Sequence, residues 1–252
     1  MSDSTLPTSD VPVMSTAETL SGIFFEPEHT FQALKVRPRF LVAALITIAA
    51  FMALYVSFVQ RIGAETIARA QIAARSPDMT AEQMNQALAV QSSPLVQAIT
   101  YASFPVVFAI IFAAGAGLYL LGVMAMGKAM SYKQALSVWV YSSLPQTLLF
   151  ALVNILLLFL KSKDDIDPTA INTGGIARAN LSLLVDRKAR PILATILSSF
   201  DIFAFLGLFL AAVGLRVMAR LSSGAAWGIA LLVWLLAMGI HVLMAALFGQ
   251  AS

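Results

Sequence analysis

Residues 98–124 read AITYASFPVVFAIIFAAGAGLYLLGVM, and this stretch indicates the fold class because it contains no charged residue. A helix needs about 20 predominantly apolar residues to cross the hydrocarbon core of a bilayer. In that core the backbone has no water to bind, so its amides must be hydrogen-bonded within the segment. The stretch is therefore predicted to be a membrane-spanning α-helix.

Four other stretches share this length and this apolar character. They are residues 40–59, 136–160, 192–215 and 225–248. Across the chain 59% of residues are hydrophobic and 12% are charged, whereas a soluble domain carries about 25% charged residues. The predicted fold class is an all-α integral membrane protein, with a bundle of five transmembrane helices over residues 40–248.

The residues before the first span divide into two parts. Residues 1–16 are rich in Ser, Thr, Pro and Asp, a composition that cannot bury a core, and we predict that they are disordered. Residues 17–39 place apolar side chains at helical spacing, which predicts an amphipathic segment at the cytoplasmic surface of the membrane. Its apolar face serves either to anchor the chain or to recruit a protein partner. The predicted membrane-interface residues are Phe24, Phe31, Lys35, Arg37 and Arg39.

The distribution of basic residues bears on orientation and on the class of partner. The net charge is +3, but the cations are scattered at the ends of apolar blocks and in loops, which is not the pattern of a nucleic-acid surface. Lys128, Lys133 and Arg220 lie in or beside the two short loops that share a side with the amino terminus. Because cytoplasmic loops are enriched in Lys and Arg, we predict a cytoplasmic amino terminus and an external carboxyl terminus. The basic residues of 187–190 oppose this orientation.

One acidic residue, Asp201, falls well inside a predicted span. Counting 1.5 Å per residue, Asp201, His241 and Asn154 lie roughly 9 to 13 Å from the same membrane face. An ionisable group at this depth is costly and is a functional candidate, for example in an ion relay or a substrate site. The commoner role of such groups is an interhelical hydrogen bond that fixes packing. We hypothesise that Asp201 pairs with His241.

Small residues at 113–117, and Gly207 and Gly214, form faces that let helices approach closely. Packing within one chain is the commoner use of such faces, and a homo-oligomer is the other.

The sequence lacks the common catalytic patterns. The chain has no cysteine and two histidines, and it lacks the H-E-x-x-H, Walker and G-x-S-x-G motifs. We therefore predict no enzymatic activity, no cofactor and no metal site.

Three short segments, in this order, resemble the Yip family of five-span membrane proteins. They are GIFFEP at 22–27 with Phe31 after it, YSSLP at 141–145, and SFDIF at 199–203. The resemblance covers residues 20–248. The residues that carry it are Pro27, Phe31, Tyr141, Leu144, Pro145 and Asp201.

This resemblance supplies the functional expectation. Eukaryotic members are named for interaction with Ypt/Rab GTPases and carry an Asp-Leu-Tyr-Gly-Pro type motif, which is absent here. The chain therefore resembles a bacterial-type member, which implies a location in the bacterial inner (plasma) membrane. The expected function is a non-enzymatic scaffold or adaptor with a membrane or cytoplasmic protein partner. The alternative is a small transporter or lipid-handling protein that uses Asn154, Asp201 and His241.

Overall fold

A computed structural model describes residues 14–76, 78–177, 179–187 and 189–248. The described residues form α-helices joined by loops, with one isolated bridge between Asn180 and Asp201 and no strand. In chain order the helices are α1 (Thr16–Phe25), α2 (Pro27–Val36), α3 (Leu41–Ile62), α4 (Ala64–Arg75), α5 (Ala81–Gln91), α6 (Pro94–Ala125), α7 (Tyr132–Leu160), α8 (Pro191–Ser198), α9 (Ile202–Ala219) and α10 (Ser223–Phe248). Short 3-10 turns at Lys163–Asp165, Ala170–Asn172 and Leu181–Leu184 lie in the loop between α7 and α8.

Five of these helices are long and apolar enough to cross a membrane. They are α3, α6, α7, α9 and α10. This confirms the predicted fold class, an all-α multi-pass membrane protein. Helix α7 lies at the centre of the bundle and packs against α3, α6 and α9.

The fourth span differs from the predicted continuous helix over 192–215. Helix α8 ends at Ser198, and Asp201 is the N-cap of α9. Helix α9 has 18 residues, so at 1.5 Å per residue it is about 27 Å long and nearly matches a hydrocarbon core of about 30 Å. Hydropathy misses this break because α8 is as apolar as a span. The carboxylate of Asp201 accepts hydrogen bonds from backbone N–H groups that follow it in the chain. Such bonds favour a position at the start of a helix over a position in its interior.

The residues before the first span form two helices, which we call the N-terminal cap (residues 15–39). Helix α1 begins with a capping box in which Ser15 and Glu18 each accept the backbone N–H of the other. Pro27 begins α2, at a position where its missing N–H costs nothing. Of the predicted disordered tail 1–16, residues 1–13 lie outside the described residues. Thr16 already belongs to α1.

The main core lies where the cap meets α7 and α9. The side chains of Ile23, Phe31 and Leu34 are fully buried in it. A Cβ added at Gly214 of α9 would lie 2.9 Å from Phe31 and from Val138, so only glycine lets α2 approach this closely. The predicted interfacial position of Phe31 is therefore wrong. Helical periodicity identifies a buried apolar face, but it does not say whether lipid or protein covers that face.

The small-residue faces also pack within the chain. A Cβ at Gly115 would clash with the Trp139 ring, and one at Gly207 would clash with the Gln146 amide. Both glycines therefore permit close helix packing inside the bundle.

Candidate functional site

Polar contacts fix the cap onto the bundle. The Thr19 and Tyr141 hydroxyl oxygens are 3.0 Å apart and both side chains are buried. The Lys35 ammonium donates to the Val217 carbonyl at 2.8 Å. Gln134 donates to the Lys35 carbonyl at 2.9 Å. The family-motif residue Tyr141 thus holds the cap, and Leu144 and Pro145 are buried beside it in α7.

The three predicted interfacial cations have different surroundings. Arg39 donates to the Thr16 hydroxyl at 3.1 Å and also to the Met14 carbonyl, so it joins the start of the cap to the start of α3. Lys35 is held by α9, and its partial burial, followed by the charge of Arg220, lowers the pKa of its ammonium. Arg37 is exposed. Of the three, Arg37 is the cation most free to meet lipid headgroups.

The outer surface of the cap carries exposed apolar side chains. Phe25, at the junction of α1 and α2, is 84% exposed, and Phe24 is 40% exposed. Val36, at the end of α2, is also exposed. The cap therefore presents an aromatic tip while its other face is buried in the bundle.

Asn154 lies at the other end of α7 and holds the loop after that helix. Its Oδ1 accepts the backbone N–H groups of Ile176 at 2.6 Å and Ala177 at 3.0 Å. Its Nδ2 donates to the Phe150 carbonyl at 2.8 Å. The side chain is 1% exposed. Asn154 thus supplies hydrogen bonds to a loop backbone that would otherwise lack them.

Asp201 is engaged in a similar way. Its Oδ1 accepts the N–H of Phe203 at 2.8 Å and of Ala204 at 3.3 Å, which caps α9. The next residue, Ile202, donates its N–H to the Ala179 carbonyl at 3.2 Å. Asp201 therefore precedes the spanning helix α9 rather than lying inside it.

The structure does not bring the predicted polar cluster together as a single site. The Asn154 side chain accepts loop N–H groups at Ile176 and Ala177, whereas Asp201 meets the loop through a backbone bridge with Asn180. His241 of α10 is exposed. Within the described part of the chain, the hydrogen bonds of Asp201 go to backbone N–H groups and none joins it to His241.

Sequence reasoning missed several residues that hold the cap. Ser15 and Glu18 match the S-x-x-E capping-box pattern, which was available in the sequence as a signal for the start of α1. Thr19 carried no such signal. The ion pair between Glu28 and Arg216, at 2.6 Å, joins residues too distant in the chain for any local pattern to connect.

Comparison with known proteins agrees with this architecture. A sequence model described as the Yip1 domain matches residues 21–245, which is most of the chain. Neither a curated protein nor a solved structure matches it. Proteins of the matched family are generally non-catalytic membrane proteins. The chain therefore belongs to the Yip1 domain family.

Proposed function

We propose that this protein is a non-enzymatic membrane scaffold or adaptor, and that its N-terminal cap is the contact for a protein partner. The observation that carries the proposal is the position of Phe25. Its ring is 84% exposed on a helix pair whose opposite face is buried in the bundle.

The docking of the cap supports a role in binding. Phe31 fills the core, and the hydrogen bonds of Thr19 and Lys35 fix the cap on α7 and α9. A surface held in one conformation loses little entropy when a partner binds. Phe24 and Phe25 are thus presented in an ordered arrangement, and aromatic side chains are enriched among the residues that dominate binding energy.

The polar residues near the other end give less support to the transporter alternative. A polar pathway needs groups that are free to bind a substrate or a proton. Asn154 uses both ends of its amide on backbone, and Asp201 uses a carboxylate oxygen to cap α9. These contacts favour a structural role for both residues.

The proposal also includes an orientation and a location. Alternating the five spans puts the cap, the turn containing Lys128 and the turn containing Arg220 on one side. The enrichment of cytoplasmic loops in Lys and Arg favours that side as the cytoplasm. We place the protein in a bacterial inner membrane, with the cap available to cytoplasmic or membrane partners.

The test is affinity capture of the tagged chain from its native membrane in mild detergent. We expect a partner at near-stoichiometric amount with the unaltered chain and its loss with Phe25→Ser. Because the Phe25 ring is largely exposed, this change removes the contact without disturbing the core.

The matched control is Val90→Ser, which removes an exposed apolar side chain from α5, outside the cap. Capture that survives Phe25→Ser, or that is lost equally with Val90→Ser, would contradict a partner site on the cap.

A further inference from the structure

A groove of ≈ 510 Å³ opens between α2, α9 and the start of α10. Ligand sites in proteins usually measure about 300–1,000 Å³, so its size suits a small headgroup. Its lining includes Glu26, Glu28, His29, Phe209, Arg216 and Trp227.

The upper part of the groove is charged with both signs. Arg216 pairs with Glu28 at 2.6 Å, and His29 lies 3.5 Å from Glu26. The contact of His29 is too poor for a hydrogen bond, which leaves its buried Nδ1 without a partner in the described residues. The Glu26 and Glu28 side chains are more than half exposed. The groove therefore offers two accessible carboxylates beside a guanidinium.

The lower part of the groove is aromatic and lies along the candidate spans α9 and α10. Phe209 precedes Arg216 by about two helical turns on α9, which is about 10 Å along the helix axis. Phe209 and Trp227 are both exposed, with ring centroids 6.5 Å apart. Arg216 lies in the last turn of α9 and Trp227 in the first turns of α10. Tryptophan is enriched at this level of membrane proteins, where headgroups meet acyl chains.

We propose that this groove binds a phospholipid whose headgroup carries both a phosphate and a primary ammonium, the phosphoethanolamine class. The phosphate lies against Arg216, whose guanidinium has donors besides the one given to Glu28. The ammonium lies between the carboxylates of Glu26 and Glu28. An acyl chain follows the exposed rings of Phe209 and Trp227 toward the bilayer.

The charges of the groove select among common headgroups. A phosphoglycerol headgroup brings a negative charge with no cation to meet the two carboxylates. A choline headgroup brings a cation that has no N–H to donate. Only a headgroup with a phosphate and a hydrogen-bonding ammonium matches both halves of the groove.

The test is native mass spectrometry of the purified full chain after equilibration, in a non-ionic detergent, with equal amounts of phosphatidylethanolamine, phosphatidylglycerol and phosphatidylcholine. We expect preferential retention of phosphatidylethanolamine. Removing a charge-assisted bond should weaken binding about tenfold, so Arg216→Gln should lower its retention by that factor. Glu26→Gln should abolish the preference for ethanolamine over choline.

Lys128→Gln is the matched control, because it removes a cation from an exposed turn on the same side but outside the groove. It should leave retention unchanged. Glu26→Gln leaves the Arg216 pair intact, so it tests the groove even where Arg216→Gln loosens the cap. Equal retention of the three lipids, an equal loss with Lys128→Gln, or full competition by free phosphoethanolamine at the lipid's concentration would overturn the proposal.

Discussion

The cap end of the bundle is covered by two helices, whereas the opposite end is covered by the irregular loop after α7 together with α4. The cap satisfies its own backbone within α1 and α2, so it can contribute apolar side chains such as Phe31 to the core. The loop after α7 satisfies part of its backbone in short turns, including the 3-10 turns at Lys163–Asp165, Ala170–Asn172 and Leu181–Leu184. In addition, the Asn154 side chain accepts two backbone N–H groups of this loop. The Asp201 side chain accepts a backbone N–H group at the start of α9.

Because of this difference, we expect the truncation of a buried side chain to lower stability for different reasons at the two ends. At the cap end, stability comes mainly from buried apolar area. At the loop end, Ile166 and Ala170 are buried in a smaller apolar cluster, and polar side chains also satisfy backbone N–H groups, so that loss of such a side chain leaves donors unpaired.

Phe31→Ala should have the largest effect, because it opens a cavity between α2, α7 and α9. Truncation of a buried phenylalanine costs about 3–5 kcal/mol of unfolding free energy. Thermal unfolding in detergent should report this loss, and limited proteolysis should show earlier cleavage within the cap. Phe25→Ala removes the same ring from an exposed site and should change stability by about 0.5 kcal/mol or less. Equal losses in the two variants would show that the cap is not docked as described.

Asn154→Ala should destabilise the end of the bundle opposite the cap. It leaves the N–H groups of Ile176 and Ala177 without an acceptor, and a stranded buried donor costs about 1–3 kcal/mol. We expect a lower unfolding temperature and faster hydrogen exchange at those two amides. The control is Thr47→Val in α3, which removes a buried hydroxyl that bonds only within its own helix. If Thr47→Val costs as much as Asn154→Ala, the loop does not depend on Asn154.

Variants of Asp201 distinguish a role as the N-cap of α9 from a role in a charge relay. Asp201→Ala should cost about 1 kcal/mol, the usual effect of losing an N-cap, while Asp201→Asn should be nearly neutral because asparagine caps helices equally well. Thermal unfolding of the two variants measures the difference. Loss of partner capture in a stable Asp201→Asn variant would instead indicate that the negative charge is needed.

Glu18 should give the smallest effect, seen as a pH dependence. Hydrogen bonds from the Ser15 backbone and then its side chain hold the pKa of Glu18 below its ordinary value of 4.5. Because the folded pKa is the lower one, this stabilisation is fully present above the ordinary value and is lost as pH falls through the folded pKa. Glu18→Gln keeps an acceptor at that position but does not titrate. Unfolding measured at several pH values should therefore show a weaker acid dependence for the variant. Identical acid profiles would rule out this contribution.

The elements that could be predicted from the sequence are those with long-range apolar patterns. The uncharged stretch 98–124 indicated a span, and α6 covers it. The fourth span could not be predicted as two helices, since α8 and α9 are equally apolar and the break depends on one carboxylate, that of Asp201. The burial of Phe31 was also beyond reach, because lipid and protein attract the same helical face. The partners of Asn154 lie in a loop without periodicity, so no pattern identified them.

We propose that the cap tip contacts another protein. The most direct measurement is photo-cross-linking in the native membrane, with a benzophenone amino acid placed at Phe25 or, as a control, at Tyr132. Tyr132 is an exposed aromatic residue at the start of α7 on the same side of the bundle. The proposal predicts a discrete protein adduct from position 25 and none from position 132. Adducts to lipid alone at position 25 would contradict it and would show that the cap tip is a membrane anchor.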